Sequence, residues 1–320
     1  MTERRAGEPE SYEVVVIGGG PAGLSAALNL VRARRSVLVI DSNRPRNAAT
    51  LLAHGFLTRD GVPPLELRKL GRDEVESYDN GEVVFALAQT VEVSEGGYRI
   101  RASGVRGAAD LDVVAETVVI ATGVMETLPA LPSIRAYYGT HLHSCVECDA
   151  FEKADAALAL IGETTDLAER ALLLSQWSSD LIVFTNGVGQ VSDDDERTLA
   201  RLGVSVERRP IDDLVGEKGV LSGVRLADGT VIGREGGFVR PLWSPSLGFA
   251  DDLDLDRDDH GFLLTDAQGR TSLPGIYAAG ESAPPGPQQL IVAAGAGAVV
   301  AGAVNRDLIG LAVERGAAVL

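Results

Sequence analysis

Short, almost wholly apolar runs alternate along the chain with longer amphipathic ones, in a strand–turn–helix–strand order that occurs twice. Residues 12–17, apolar except for Glu13, form a run of strand length, as expected for a parallel strand buried on both faces. Leu24, Ala27, Leu28 and Val31 then recur at helical spacing, and residues 36–40 form a second apolar run ending at Asp41. The same order returns with a strand at 156–161, a helical pattern at 166–177 and a strand at 181–184. Between these repeats the pattern predicts a helix over 63–78, a small antiparallel excursion over 83–114 and a buried strand over 117–120. Further on it predicts a hairpin joining 220–226 to 230–232 through Asp228-Gly229. A strand over 238–245 leaves through a proline-rich joint, and another runs over 273–279. Gln288 and Gln289 start a final helix of small residues reaching Asn305.

This pattern predicts an α/β fold of two Rossmann-like, doubly wound domains, the second inserted into the first. The first domain is expected over 1–124 and 244–320, the second over 125–243, with short linkers near 124–128 and 240–245. A length of 320 residues fits two domains, and 45% hydrophobic residues suffice for two cores. The net charge of −17 argues against a nucleic-acid partner. The acidic run 251–259 reads as a solvated loop that includes His260 in its surroundings. No run of about 20 apolar residues is seen, and 290–304 reads as too short for a membrane span. The polar N-terminus, residues 1–11, lacks an apolar signal core, so a cytoplasmic location is expected.

The first turn carries the most specific chemistry. Gly18, Gly20 and Gly23, with Pro21 and Ala22 between the last two, fit G-x-G-x-x-G between a strand and a helix. Such glycines let a dinucleotide pyrophosphate approach bare backbone at a helix N-terminus, and an acid ending the second strand, here Asp41, accepts from ribose hydroxyls. The segment from Arg44 to Gly61 reads either as a surface loop or as a loop over a cofactor ring, with Asn47 and His54 near it. Ala121-Thr122-Gly123 and Gly280-Glu281 end strands where a cofactor would lie, with Gln288 and Gln289 beside them.

The only two cysteines, Cys145 and Cys148, form a C-x-x-C pair within His141-Leu142-His143-Ser144-Cys145-Val146-Glu147-Cys148-Asp149. A redox pair is one reading, because a thiolate is the attacking species and the pair can cycle to a disulfide. Zinc is a second, since two histidines and two cysteines offer four ligands, although His141 and His143 lie too close for separated knuckles. A static disulfide and a pair of inert buried thiols remain open. On these residues alone the redox reading leads and the other three stay open, with no metal expected.

The second strand–turn–helix unit departs from the fingerprint. Its turn, Gly162-Glu163-Thr164-Thr165-Asp166-Leu167, keeps only the first glycine. Thr164 puts a side chain where a pyrophosphate needs bare backbone, and Glu163 and Asp166 add negative charge. Thr185-Asn186-Gly187 follows the next strand, with no arginine for a 2′-phosphate.

Together these residues resemble the low-molecular-weight thioredoxin reductases and related FAD-dependent disulfide oxidoreductases. Gly18 to Gly23, Asp41, Ala121-Thr122-Gly123, the cysteine pair followed by Asp149, and Gly275 to Glu281 with Gln289 fall in that family's order. The resemblance implies that FAD is held by the first turn and the acid. It implies that Cys148 faces the flavin, that Cys145 exchanges with substrate, and that Asp149 acts as acid and base. It also implies a homodimer, for which the apolar tail from Leu308 onward is a candidate contact. The broken second turn and the Arg46-Asn47 to Phe56 loop resemble a subgroup, the dithiol oxidases of the gliotoxin and holomycin type. Asp149 departs from that subgroup, which often has His there, and Glu281 replaces the family's shorter acid.

The reading is therefore an FAD-dependent thiol–disulfide oxidoreductase. A dithiol oxidase acting on a small-molecule dithiol, with oxygen as acceptor and Asp149 or His143 shuttling the proton, is the first form. A reductase of a thioredoxin-like protein, using NAD(P)H or another donor, is the second. A flavin-binding redox sensor with little turnover is the third. Anaerobic NADPH separates the first two, and absence of turnover marks the third.

Overall fold

The first apolar run becomes strand β1 (Glu10–Ile17) of the computed structural model, which describes residues 9–284 and 286–316. Val14 and Val16 face one core with Ala26, Ala27 and Leu30 of helix α1 (Pro21–Arg32). Val15 and Ile17 face the opposite core with Leu38 and Ile40 of β2 (Val37–Asp41). Both faces are covered, which is why Val14–Ile17 and residues 37–40 are apolar without alternation. Helix α2 (Pro64–Glu76) leads to β3 (Gly81–Ser94), β4 (Gly97–Gly104) and β5 (Leu111–Ile120).

The chain divides into two compact units. The first takes the described residues up to Pro45, then Leu65–Met125, then Ser244 onward. Its parallel strands pair in the order β3-β2-β1-β5, while β4 runs antiparallel to β3 and to the first half of β5. The strands expected separately at the ends of the antiparallel excursion are thus continuous with the central sheet.

The second unit takes Arg46–Pro64 and Glu126–Trp243. After β6 (Val124–Thr127) come α3 (Ile134–Tyr137), β7 (Leu142–His143), α4 (Val146–Asp149), β8 (Leu158–Gly162), α5 (Leu167–Leu174), β9 (Leu181–Phe184), α6 (Asp193–Arg201) and β10 (Ser205–Glu207). Strands β11 (Ile211–Glu217), β12 (Val220–Leu226) and β13 (Val231–Gly233) form a three-stranded antiparallel sheet. With β14 (Gly236–Arg240), the main sheet is parallel in the order β10-β9-β8-β14-β7. Cores cover both its faces, one shared with β11 and β12, the other with α5. Both sheets are Rossmann-like, so the fold is α/β with two such units. Strand β15 (Leu242–Pro245) pairs with β6, and β16 (Ile276–Ala278) joins β5 in the first sheet.

Three expectations are corrected. Residues 46–64, expected in the first domain, pack with the second unit. Gly139 comes so near Ala49 that a Cβ would meet its carbonyl oxygen at 2.2 Å, and Arg46 pairs with Glu126 at 3.0 Å. The last helix, α7 (Leu290–Glu314), begins after Gln288 and Gln289 and runs beyond Asn305. The apolar spacing of Val300, Ala301 and Val304 continues to Leu308, which still packs in the first unit's core. Length and composition alone would let α7 cross a membrane, contrary to the reading that no such run exists. Here Gly297 lies against α1, where a Cβ would meet the Ala22 carbonyl oxygen at 2.0 Å. The proposed tail contact lies partly outside the described residues, at 317–320.

Candidate active site

Two clusters hold the candidate residues, one in each unit. In the first unit the glycine turn follows β1. Gly18 adopts φ +118°, and a Cβ on it would meet the Ala121 carbonyl oxygen at 2.2 Å, so the turn lies directly on the end of β5. A Cβ on Gly23 would meet the Gly18 carbonyl oxygen at 1.9 Å, so α1 can start this close only with glycine there. Pro21 occupies the first turn of α1, where its missing N–H costs nothing. That N-terminus has no side-chain cap and no acid in its first turn. Its unpaired N–H groups and dipole favour an anion, and Gly20 faces open space.

The other sequence-predicted residues of this unit gather round the same turn. The Gly123 N–H donates to the Ser282 hydroxyl at 3.1 Å, with Thr122 Oγ1 at 3.4 Å. Gly280 faces Ala22, Glu281 lies beside Gly123, and Gln289 caps α7. The Nε2 of Gln288 is buried without a partner among the described residues. Asp41 is almost fully buried, and its carboxylate accepts from the Asn43 N–H at 2.8 Å and from Arg68 Nη2 at 2.6 Å. Arg68 and Ser282 were not singled out by sequence, since nothing in their local pattern marks them. An uncapped glycine turn, a buried acid and orphaned donors fit the pyrophosphate, ribose and polar ring edge of FAD.

In the second unit, Cys145 and Cys148 are joined in a disulfide, with Cα atoms 5.3 Å apart. Strand β7 aligns Leu142 with Gly237 and His143 with Phe238 of β14, which places the redox segment at the sheet edge. Val146 and Ala150, four residues apart, anchor the single turn of α4 in the core beneath it. Cys145, Cys148 and Asp149 stay half-buried above.

His143 donates from Nε2 to the Thr140 carbonyl at 2.9 Å, because a carbonyl oxygen can only accept. Its Nδ1 lies 3.1 Å from Asp149 Oδ1, with side chains 9% and 13% exposed. The approach is not aligned as a hydrogen bond. The two side chains are thus neighbours beside the disulfide, both largely buried. Lys153 Nζ also donates to the Thr140 carbonyl, at 2.8 Å. Burial holds the Lys153 ammonium below its ordinary value, and burial with the charges of Lys153 and His143 does the same to His141.

Ser144, just before Cys145, is held from both sides. Its hydroxyl donates to Glu126 at 3.2 Å and lies 3.0 Å from Tyr138 Oη, while its carbonyl accepts from Arg170 at 2.7 Å. Burial and the Glu126 carboxylate hold the Tyr138 phenol well above its ordinary value. Glu126, Tyr138, Arg170, Thr140 and Lys153 carry no motif that sequence reading could have used. Asn47 sits half-buried in a one-turn segment at 46–49. His54 lies 3.5 Å from Asp60 and 3.6 Å from Glu152.

The second turn is filled by its own side chains. Thr164 donates to Asp166 at 2.6 Å, and Asp166 pairs with Arg240 at 2.7 Å. Burial would raise the Asp166 carboxyl, but Thr164 and Arg240 outweigh it and hold it below the ordinary value. Asn186 donates to Glu163 at 2.7 Å. Sequence reading found no cation here, yet Arg240 and Arg170 stand beside the turn, brought from β14 and α5. Arg240 uses Nε on Asp166 and lies over the Trp243 ring, 3.8 Å from its centroid, while its buried Nη1 has no hydrogen-bond partner among the described residues.

The pyridine nucleotide-disulphide oxidoreductase family model matches residues 12–297. A crystal structure of a putative thioredoxin reductase TrxB from Bacillus anthracis superposes with a TM-score of 0.86 at 35% identity, covering 94% of this chain and 99% of that one. A thioredoxin reductase, sirT, from Leptosphaeria maculans is 28% identical over 94% of this chain and 96% of its own length. A probable thioredoxin reductase from Arthroderma benhamiae is 34% identical over 57% of this chain, which spans 45% of that relative. The chain therefore belongs to the pyridine nucleotide-disulphide oxidoreductase family, as a disulfide oxidoreductase of thioredoxin reductase type with FAD as its cofactor.

Proposed function

We propose that this protein is a dithiol oxidase that converts a small-molecule dithiol to its disulfide, with oxygen as the final acceptor. The observation that carries the reading is the self-filled second turn. Thr164, Asp166 and Arg240 bond to one another where a nicotinamide nucleotide would need bare backbone and a free cation, and Asn186 bonds to Glu163 at the neighbouring strand end. Electrons then enter through the cysteines.

A substrate thiolate attacks Cys145 Sγ, the Cys145–Cys148 bond breaks, and Cys148 leaves as thiolate. The second substrate thiol, deprotonated, attacks the substrate sulfur of the mixed disulfide and releases Cys145 as thiolate. The substrate has lost two electrons and two protons, and the enzyme holds a dithiol. The His143–Asp149 pair takes up and returns a proton beside Cys148. Thr140, held by Lys153, fixes the His143 ring so that Nδ1 faces Asp149. FAD, held by the Gly18–Gly23 turn and Asp41, would supply a two-electron acceptor for the Cys145/Cys148 dithiol, with oxygen as the final acceptor.

The alternative is a reductase of a thioredoxin-like protein. It is favoured by the acid directly after Cys148 and by relatives named thioredoxin reductase. Anaerobic mixing decides between them. The oxidase reading expects dithiothreitol to bleach the flavin fast, and millimolar NADPH or NADH to bleach it slowly. Fast bleaching by NADPH with slow bleaching by dithiols would overturn it.

A further inference from the structure

We propose that Arg68 is a further binding residue for the cofactor, donating from Nη1 to a phosphate or ribose oxygen of its adenosine diphosphate half. The inference concerns FAD binding and holds whichever way electrons flow. Helix α2 passes close over the start of α1, for a Cβ on Gly71 would meet Leu24 Cδ1 at 3.0 Å. Arg68 lies three residues before Gly71 and seven before the fully buried Val75, on the same helical face. Its side chain is 4% exposed.

One edge of the guanidinium is used by the protein. Nη2 donates to Asp41 Oδ2 at 2.6 Å and lies 3.3 Å from Asn43 Oδ1, and Nε reaches the Gly19 carbonyl at 3.3 Å. The remaining nitrogen, Nη1, is buried and has no partner among the described residues. A charged donor left unmet in the interior is costly, and an apolar side chain would fill this space without that cost. The Nε contact with the Gly19 carbonyl sets the guanidinium beside the glycine turn, and the proposal assigns the missing acceptor to a group bound at that turn. There α1 is uncapped and Gly20 is open. The Asp41–Arg68 pair is neutral as a unit, so a doubly charged pyrophosphate meets no net negative charge beside the turn. Asp41 keeps lone pairs for the ribose hydroxyls.

A purely structural Arg68 would need only the Nε/Nη2 edge that orients Asp41. Arg68→Lys keeps a cation for Asp41 and removes the second arm, and Arg68→Ala removes both. Equilibrium dialysis of the full-length protein against FAD, with ADP as competitor, reads the constants. The expected result is a rise in Kd of about 10-fold for Arg68→Lys and about 100-fold for Arg68→Ala. The factor should be the same for ADP as for FAD, because the contact is to their shared half. The proposal is overturned if Arg68→Lys binds both ligands within twofold of wild type, or if it weakens FAD and leaves ADP unchanged. Should Arg68→Ala fail to fold, Arg68→Lys carries the test alone.

Discussion

Asp149→Asn is the most informative change to the redox cluster. Asparagine keeps the size of the side chain, and its Nδ2–H can donate to His143 Nδ1, so the contact now 3.1 Å long survives as a neutral one. The Thr140 carbonyl continues to hold Nε2–H. The lost property is acid–base capacity at this position, because an amide can neither accept nor release a proton at neutral pH. With side chains only 9% and 13% exposed, water is a poor substitute. A positioned acid or base contributes roughly 100- to 10,000-fold. The half-buried cysteines leave some access to solvent, so we expect the lower end, about 100-fold, which corresponds to about 2.7 kcal/mol. Anaerobic stopped-flow with dithiothreitol, following loss of the flavin band, measures the step directly. FAD content and melting temperature serve as controls for folding. His143→Gln, which leaves Asp149 in place, should lose about tenfold, at the low end of positioning effects. An Asp149→Asn rate within threefold of wild type would refute an acid–base role for Asp149.

Cys148→Ser should retain FAD and lose bleaching by dithiols, and spectra showing normal bleaching would remove Cys148 from the role nearest the flavin. Asp166→Asn leaves Arg240 without its charge partner and should cost about 1–2 kcal/mol, seen as a melting temperature lower by roughly 2–6 °C; an unchanged melt would mean the filled turn is not held by that pair. His141 is held below its ordinary value of 6.5 in the folded protein. Below that pH the unfolded chain binds a proton that the folded one refuses, so acid favours unfolding and stability falls as pH drops from 6.5 through the folded value. His141→Gln should flatten that part of the melting profile between pH 7.5 and 5, and an unaltered slope would exclude this histidine as its source. Light scattering is expected to give a dimer mass at micromolar concentration, and a monomer would count against the family-based expectation.

The amino-acid sequence determined the repeated strand–turn–helix–strand plan, because strands covered on both faces must be apolar throughout, as Val14 to Ile17 and Leu158 to Ile161 are. It also located the glycine turn, since only bare backbone permits the contacts of Gly18 and Gly23. The cysteine pair was visible from spacing, whereas the bond between its sulfurs appears only in the structure. Tertiary structure alone decided the rest, and for one physical reason: the deciding partners are distant in sequence. Asp41 meets Arg68, Asp166 meets Arg240, and Ser144 meets both Glu126 and Arg170. The segment 46–64 reads locally as a loop of the first domain, and only packing against Gly139 and Glu126 assigns it to the second. Hydrophobic periodicity records which face of an element is buried, whereas ion pairs between different elements leave no period to read.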